Sequence, residues 1–287
     1  MCDSLVALRH RTDHGVTLFA KNSDRPPAEV QGIEWSPPRV ERRTSATHIS
    51  IDGHTAETVR TLISRPQWCW GAEHGVNEAG VAIGNHSIYT TLDPRSFPPA
   101  LIGMDLVRLG LERSVTASAA VEVMTALLER YGQGGTGHDI EIIGKDRPYW
   151  SSFLIADPTD AWMVETSGTT WQSMRVDGAA TMSNRTSIPT FDTAYRHPGQ
   201  PVERLIDPRL TASRAVLAQV PVTFGALATH LRSHDSCAEA GWSVCMHVGA
   251  EEVTTASMIA ELPVGSRPTA WMLTGSPCTN TYMPYRF

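Results

Sequence analysis

Two blocks of helical periodicity, each set between runs of strand length, limit this chain more than any other feature. Leu101, Met104, Leu106, Val107, Leu109 and Leu111 recur at helical spacing, and so do Ala120, Val121, Met124, Leu127, Leu128 and Tyr131. Thr116 stands where an N-cap belongs, and Gly132 where the helix should stop. The second block covers residues 211–220 and 224–232. Ahead of the first block, residues 4–8 and 16–20 read as a hairpin joined by Thr12-Asp13-His14-Gly15. Residues 71–76 and 80–85 read as another, and 47–51 and 59–64 as further strands. Between the blocks lie strand patterns at 152–156, 161–165, 171–176 and 180–183. After the second come 243–248, 255–261 and 269–274. Residues 195–208, with Pro198, Pro201 and Pro208, read as a long loop before a helix. Hairpins dominate, so mostly antiparallel sheets are expected, and each helix block must bury its apolar stripe against one of them. An α+β layered sandwich follows, with helices outside two sheets, and 287 residues suffice to build it as one domain spanning 1–287.

Charge and composition remove several functions. The net charge is −6 and Lys and Arg form no block, so no nucleic-acid partner is expected. The densest basic spot, Arg39 to Arg43, is interrupted by Glu41. No apolar run approaches the roughly 18 residues needed to cross a bilayer, and the beginning lacks the pattern of a signal peptide. No membrane association and a cytoplasmic location are expected. The cysteines, Cys2, Cys69, Cys237, Cys245 and Cys278, are odd in number and form no Cys-x-x-Cys, which speaks against a disulfide framework. His234, Cys237, Cys245 and His247 lie close together, but their spacing fits no standard zinc module, and neither a metal nor another cofactor is expected. Gly132-Gln133-Gly134-Gly135 follows a helix rather than opening one, which argues against nucleotide binding. Trp68 and Trp70, on either side of Cys69, read as core or as pocket wall.

Cys2 directly follows Met1. A small second residue permits removal of an initiator methionine, which would leave a thiol and a free α-amine on one residue. Such an amine has a pKa of roughly 7.7–8.0, suited to take the thiol proton and return it to a leaving group. Met-Cys alone is weak evidence, since many chains carry a small residue there by chance. Downstream, Phe19-Ala20-Lys21-Asn22-Ser23-Asp24-Arg25 closes the second strand of the first hairpin. If the hairpin forms, Lys21 and Asp24 lie near Cys2; Asp24 would orient the amine and Lys21 would favour the thiolate. A solvated charged turn explains the same residues equally well. Asn85 and Asn184 each close an apolar strand and are candidate oxyanion donors, or turn-capping residues.

At this point the sequence resembles a known family, the secernins and related C69 cysteine dipeptidases, which are N-terminal nucleophile hydrolases. The resemblance rests on Cys2-Asp3-Ser4-Leu5-Val6-Ala7, Lys21-Asn22-Ser23-Asp24-Arg25, Trp70-Gly71-Ala72-Glu73 and Gly75-Val76-Asn77-Glu78-Ala79-Gly80. It continues through Gly103-Met104-Asp105-Leu106-Val107-Arg108, Tyr131-Gly132-Gln133-Gly134-Gly135, Trp162-Met163-Val164-Glu165-Thr166 and Thr254-Thr255-Ala256-Ser257-Met258. It implies a four-layer αββα sandwich and amide hydrolysis through Cys2, with no propeptide to remove beyond Met1. By similarity to the bile-salt hydrolases and penicillin V acylases of the wider superfamily, Lys21 takes the place of the usual cation and Asp24 that of the amine-orienting carboxylate. Asn184 matches the side-chain oxyanion donor, Asn85 a substrate-side asparagine, and Arg214 an arginine near the nucleophile. The cation is Lys rather than the acylases' Arg, and secernins are longer.

The expected function is therefore hydrolysis of a small amide, with a dipeptide substrate as the family default. An amide-forming acyltransferase with the same nucleophile, and a non-catalytic secernin-like regulatory protein, are the alternatives. A homo-oligomer is left open.

Overall fold

The computed structural model describes residues 1–235 and 239–287. The strands are β1 (Cys2–Ala7), β2 (Thr17–Arg25), β3 (Gln31–Ser36), β4 (Arg43–Ser45), β5 (Ser50–Asp52), β6 (Thr61–Pro66), β7 (His74–Asn77) and β8 (Ala82–Ile88). They continue as β9 (Trp150–Ala156), β10 (Ala161–Ser167), β11 (Thr170–Arg175), β12 (Ala179–Met182), β13 (His247–Val248), β14 (Glu252–Leu262), β15 (Thr269–Thr274) and β16 (Met283–Arg286). The helices are α1 (Gly103–Arg113), α2 (Ala117–Tyr131), α3 (Ile140–Ile143), α4 (Pro189–Tyr195), α5 (Val202–Leu205), α6 (Asp207–Ala218) and α7 (Phe224–Leu231).

Two antiparallel sheets stack face to face. One runs β12-β1-β2-β14-β15-β16, with β13 added against β14; the other runs β11-β10-β9-β8-β7-β6-β3. Alternation along β1 and β2 decides what each face carries. Val6, Leu8 and Phe19 point into the core between the sheets, with Leu62, Trp150 and Leu154 from the other sheet. Leu5, Ala7, Leu18 and Ala20 point the opposite way, onto Leu217, Leu227 and Leu231 of α6 and α7. The second sheet turns Ile63, Ile83, Phe153 and Ile155 to the stripes of α1 and α2. The result is the expected αββα order, with three apolar layers, one between the sheets and one under each helix pair.

The helix-end signals hold. The Thr116 hydroxyl accepts from the Ala119 N–H, and Gly132 ends α2 with φ of 75°, a conformation that favours glycine. Other expectations give way where backbone donors find different partners. Thr47 lies between the strands of the short β4–β5 ribbon, because its N–H and hydroxyl both bond the Asp105 carboxylate, at 3.2 and 2.6 Å. Of the strand expected at 243–248 only His247–Val248 pairs; the Cys245 N–H goes to the Ser233 carbonyl and the Met246 N–H to the Thr254 hydroxyl. The loop expected at 195–208 contains α5, and α6 begins four residues early, at Asp207. Pro208 is no obstacle there, since its fixed φ and missing N–H suit the first helical turn. Edge strands β3 and β16 were illegible because β3 is partly and β16 mostly exposed, and neither carries a clean alternation.

Candidate active site

The first hairpin brings Cys2 opposite Ser23, Asp3 opposite Asn22 and Ser4 opposite Lys21. Cross-strand partners share a face, so Cys2, Ser4, Lys21 and Ser23 look between the sheets, and Asp3, Asn22 and Asp24 look toward α6 and α7. All of these residues are buried. A register slip of one residue would exchange the two sets.

On the inner face the Cys2 thiol lies 3.9 Å from the Ser23 hydroxyl and 3.9 Å from Glu73 Oε2. The other Glu73 oxygen accepts from Arg25 Nη1 at 2.5 Å. Lys21 crosses to the facing sheet, where its Nζ donates to the Asn85 carbonyl at 2.7 Å. Room for that crossing comes from Gly84, where a Cβ would lie 2.6 Å from Lys21 Cδ. Burial pushes the Cys2 thiol pKa up; Lys21 opposes this and Glu73 adds to it. The net shift is upward, so the resting group is a thiol that needs a base. His74 and His86, also inside, are driven well below the usual histidine range by burial and by the Lys21 charge, so neither is cationic near neutral pH.

The Asn85 side chain donates weakly, at 3.4 Å, to Glu73 Oε2 and to the Tyr149 hydroxyl, while its own oxygen has no partner. Gly103, at the start of α1, is packed against it; a Cβ there would come within 2.6 Å of Asn85 Oδ1 and 2.0 Å of Ser151 Oγ. Asn184 follows β12. Its oxygen accepts from the Cys2 backbone N–H at 2.7 Å and from Arg209 Nη2 at 3.3 Å, and its NH2 donates to the carbonyl and hydroxyl of Ser87. Two donors on one atom and a carbonyl beside the other fix that amide orientation. The expected oxyanion donor thus turns its acceptor, not its donor, to Cys2.

On the outer face, Arg209 of α6 donates to Asp3 Oδ2 at 2.6 Å and lies 3.8 Å from Asp24 Oδ2. Asp24 Oδ1 accepts from the Thr254 hydroxyl at 2.7 Å. Arg214, the arginine expected near the nucleophile, is exposed instead. It lies five residues along the helix from Arg209, more than a full turn, and the early start of α6 gives the buried position to Arg209.

Burial raises the Asp24 carboxyl to about 7, against the pull of the Met1 ammonium. An unfolded aspartate releases its proton near pH 4, so between about 4 and 7 the unfolded state binds fewer protons. This group's contribution therefore falls as pH rises through that window and levels off above it. Asp24→Asn is expected to flatten that slope, as read from urea midpoints of the Met1-bearing chain across the window. Parallel curves for the two proteins would contradict it.

Met1 closes the site. Its carbonyl accepts from the Asp24 N–H, and its ammonium donates to the Asp24 carbonyl at 2.9 Å and to Glu252 Oε2 at 3.2 Å. Glu252 is held from its other oxygen by Arg147, at 3.2 Å. Met1 also stands between two clefts of about 810 and 480 Å³, both lined by Lys145, Arg147 and Trp242.

Residues 12–198 match the model of peptidase family C69. The chain belongs to peptidase family C69. Membership makes it a hydrolase of amide bonds. Solved structures agree on the fold. A mutant conjugated bile acid hydrolase from Clostridium perfringens superposes with a TM-score of 0.57 at 11% identity, covering 100% of this chain and 97% of that one. A second variant of the same hydrolase gives 0.57 at 12%, covering 99% and 97%. A Caenorhabditis elegans N-acylethanolamine-hydrolyzing acid amidase ortholog gives 0.52 at 11%, covering 90% and 92%. The C69 chain therefore has the N-terminal nucleophile hydrolase fold, α+β with mostly antiparallel sheets. No helix among its described residues is long and apolar enough to cross a membrane.

Around Cys2 the structure gathers Lys21, Asp24, Asn85 and Asn184, and leaves Arg214 outside. Sequence reading missed Glu73, Arg209, Tyr149 and Glu252. Glu73 was legible as part of Trp70-Gly71-Ala72-Glu73. Arg209 was hidden by the proline-rich run, and nothing local marks Tyr149 or Glu252.

Proposed function

We propose that the protein is a dipeptidase that works through a Cys2 thioester once Met1 is removed. The observation that carries this reading is Met1 itself: an aminoacyl group joined to the nucleophile residue, with its ammonium held by Glu252 and the Asp24 carbonyl. An aminoacyl group on the neighbouring sulfur would set its ammonium in the same region. Lys145 and Arg95, on the walls of the adjoining clefts, suit the carboxylate at the other end of a dipeptide.

In the working enzyme the Cys2 nitrogen is an amine rather than an amide. It takes the thiol proton, directly or through water, and the sulfur attacks the scissile carbonyl. Asn184 Oδ1 accepts from the amine and holds its lone pair toward the thiol. The oxyanion is received by Asn85 Nδ2, whose present bonds are long and readily exchanged, because the Asn184 NH2 is engaged by Ser87. The amine returns its proton to the leaving group, and water then cleaves the thioester.

Glu252→Gln tests the substrate class. Losing the carboxylate beside a substrate ammonium removes a charge-assisted bond of roughly 1.5–3 kcal/mol, so KM for free dipeptides should rise about 10- to 100-fold. The same peptides acetylated at the N-terminus should be poor substrates of both proteins and insensitive to the change. Equal turnover of free and acetylated peptides by the parent enzyme would sink the dipeptidase reading and favour a broader acyl-amide hydrolase.

A further inference from the structure

Away from the nucleophile, four side chains from three chain segments converge. His234 lies just beyond α7, Cys245 and His247 flank the start of β13, and Cys278 follows β15. Their ligating atoms all lie within 4.8 Å of one another. His247 Nε2 is 3.4 Å from Cys245 Sγ and 3.3 Å from Cys278 Sγ. Zinc–sulfur and zinc–nitrogen bonds of about 2.3 and 2.05 Å at tetrahedral angles separate a sulfur and a nitrogen ligand by about 3.6 Å, so these edges already have nearly that length. We propose that His234, Cys245, His247 and Cys278 bind a zinc ion in a closed, structural Cys2His2 site.

The ligand chemistry selects the metal. Two sulfurs and two imidazoles suit zinc and exclude calcium or magnesium, which take oxygen ligands. Two thiolates would neutralise the ion, and four protein ligands leave no open position for chemistry. The backbone is already set for it. The Cys245 N–H bonds the Ser233 carbonyl, the Ser243 hydroxyl bonds the Cys245 carbonyl, and Arg232 Nε reaches the Pro277 carbonyl at 2.9 Å, tying the His234 and Cys278 segments together.

The sequence spacing concealed this arrangement. Reading His234, Cys237, Cys245 and His247 as a local group gives no known module; the fourth member here is Cys278, 31 residues beyond His247. Cys237 lies outside the described residues.

The site also has a place in the architecture of the nucleophile. Met246, between two of the ligands, donates its N–H to the Thr254 hydroxyl, and that hydroxyl donates to Asp24. Asn22, beside Lys21, donates to the carbonyls of Leu231 and Val244, both at 2.8 Å. An ion here would pin the segments that support both residues, and with them Trp242 on the cleft wall.

Metal analysis of the purified full-length protein tests the proposal. One zinc per chain is expected, released by a mercurial thiol reagent and read with a zinc-binding dye. Cys2→Ala should keep the zinc, whereas Cys278→Ser and His247→Ala should lose it. To separate loss of the ion from loss of the fold in the variants, the parent protein is also stripped by a chelator and titrated with Co2+. A strong visible d–d band with thiolate-to-cobalt charge transfer at one equivalent supports the site. Absence of stoichiometric zinc together with no such band overturns it, as does a Cys245–Cys278 disulfide that binds no metal after reduction.

Discussion

Cys2→Ala is expected to lower amide turnover by about 10⁴-fold or more, the size of loss that follows removal of a covalent nucleophile. The fold should survive, because the thiol's hydrogen-bond contacts to Ser23 and Glu73 are both long, at 3.9 Å, and alanine keeps the buried strand position. A chain that retains Met1 is expected to be equally inactive with its thiol intact. Its Cys2 nitrogen is then an amide donating to Asn184 and has no basic lone pair, and the thiol's hydrogen-bond partners are Ser23 and Glu73 rather than a histidine; His86 is turned to Ser4 and Ser152. Turnover with a dipeptide panel, with intact mass read on the same samples, checks both. Full activity in Cys2→Ala, or in protein shown by mass to keep Met1, would end the mechanism.

Arg209→Met is expected to destabilise the protein by about 3–5 kcal/mol, the usual result of removing one partner from a buried ion group. Arg209 is fully buried, bonds Asp3 and Asn184, and faces Asp24; its loss leaves two interior carboxylates without their cation. At the entropy of unfolding typical of a chain this long, the thermal midpoint should drop by about 5–8 °C. The Asp24 carboxyl, already raised to about 7 mainly by burial, should rise further without the guanidinium. Arg214→Ala, on the exposed side of the same helix, should stay within about 0.5 kcal/mol of the parent. Calorimetry on the two variants separates them, and equal midpoints would show that the Arg209 cluster carries no such weight.

The comparison of these two arginines shows what could be read without coordinates. Helical period, capping residues and strand alternation all act between neighbours in the chain, so the hairpin carrying Lys21 and Asp24, the Thr116 cap and the Gly132 stop were legible. Where an element started was less so. Pro208 reads as a breaker unless it occupies the first turn, and the missed start hid Arg209 and put Arg214 forward. Asn184 was legible as a neighbour of Cys2 but not in its polarity, because Arg209 and Ser87 determine which end of the amide faces Cys2.

From the sequence alone came the family, the αββα order and the position of a thiol beside the chain's first residue. Each rests on local pattern or on motifs read in line. Tertiary structure decided which side chains meet. It brought Glu73 to the Cys2 thiol, Lys21 to Asn85 on the opposite sheet, Glu252 to the Met1 ammonium, and Cys278 to His247. The physical reason is that buried charges and polar groups take partners by proximity in space, and sheet stacking sets that proximity between residues that no sequence spacing relates.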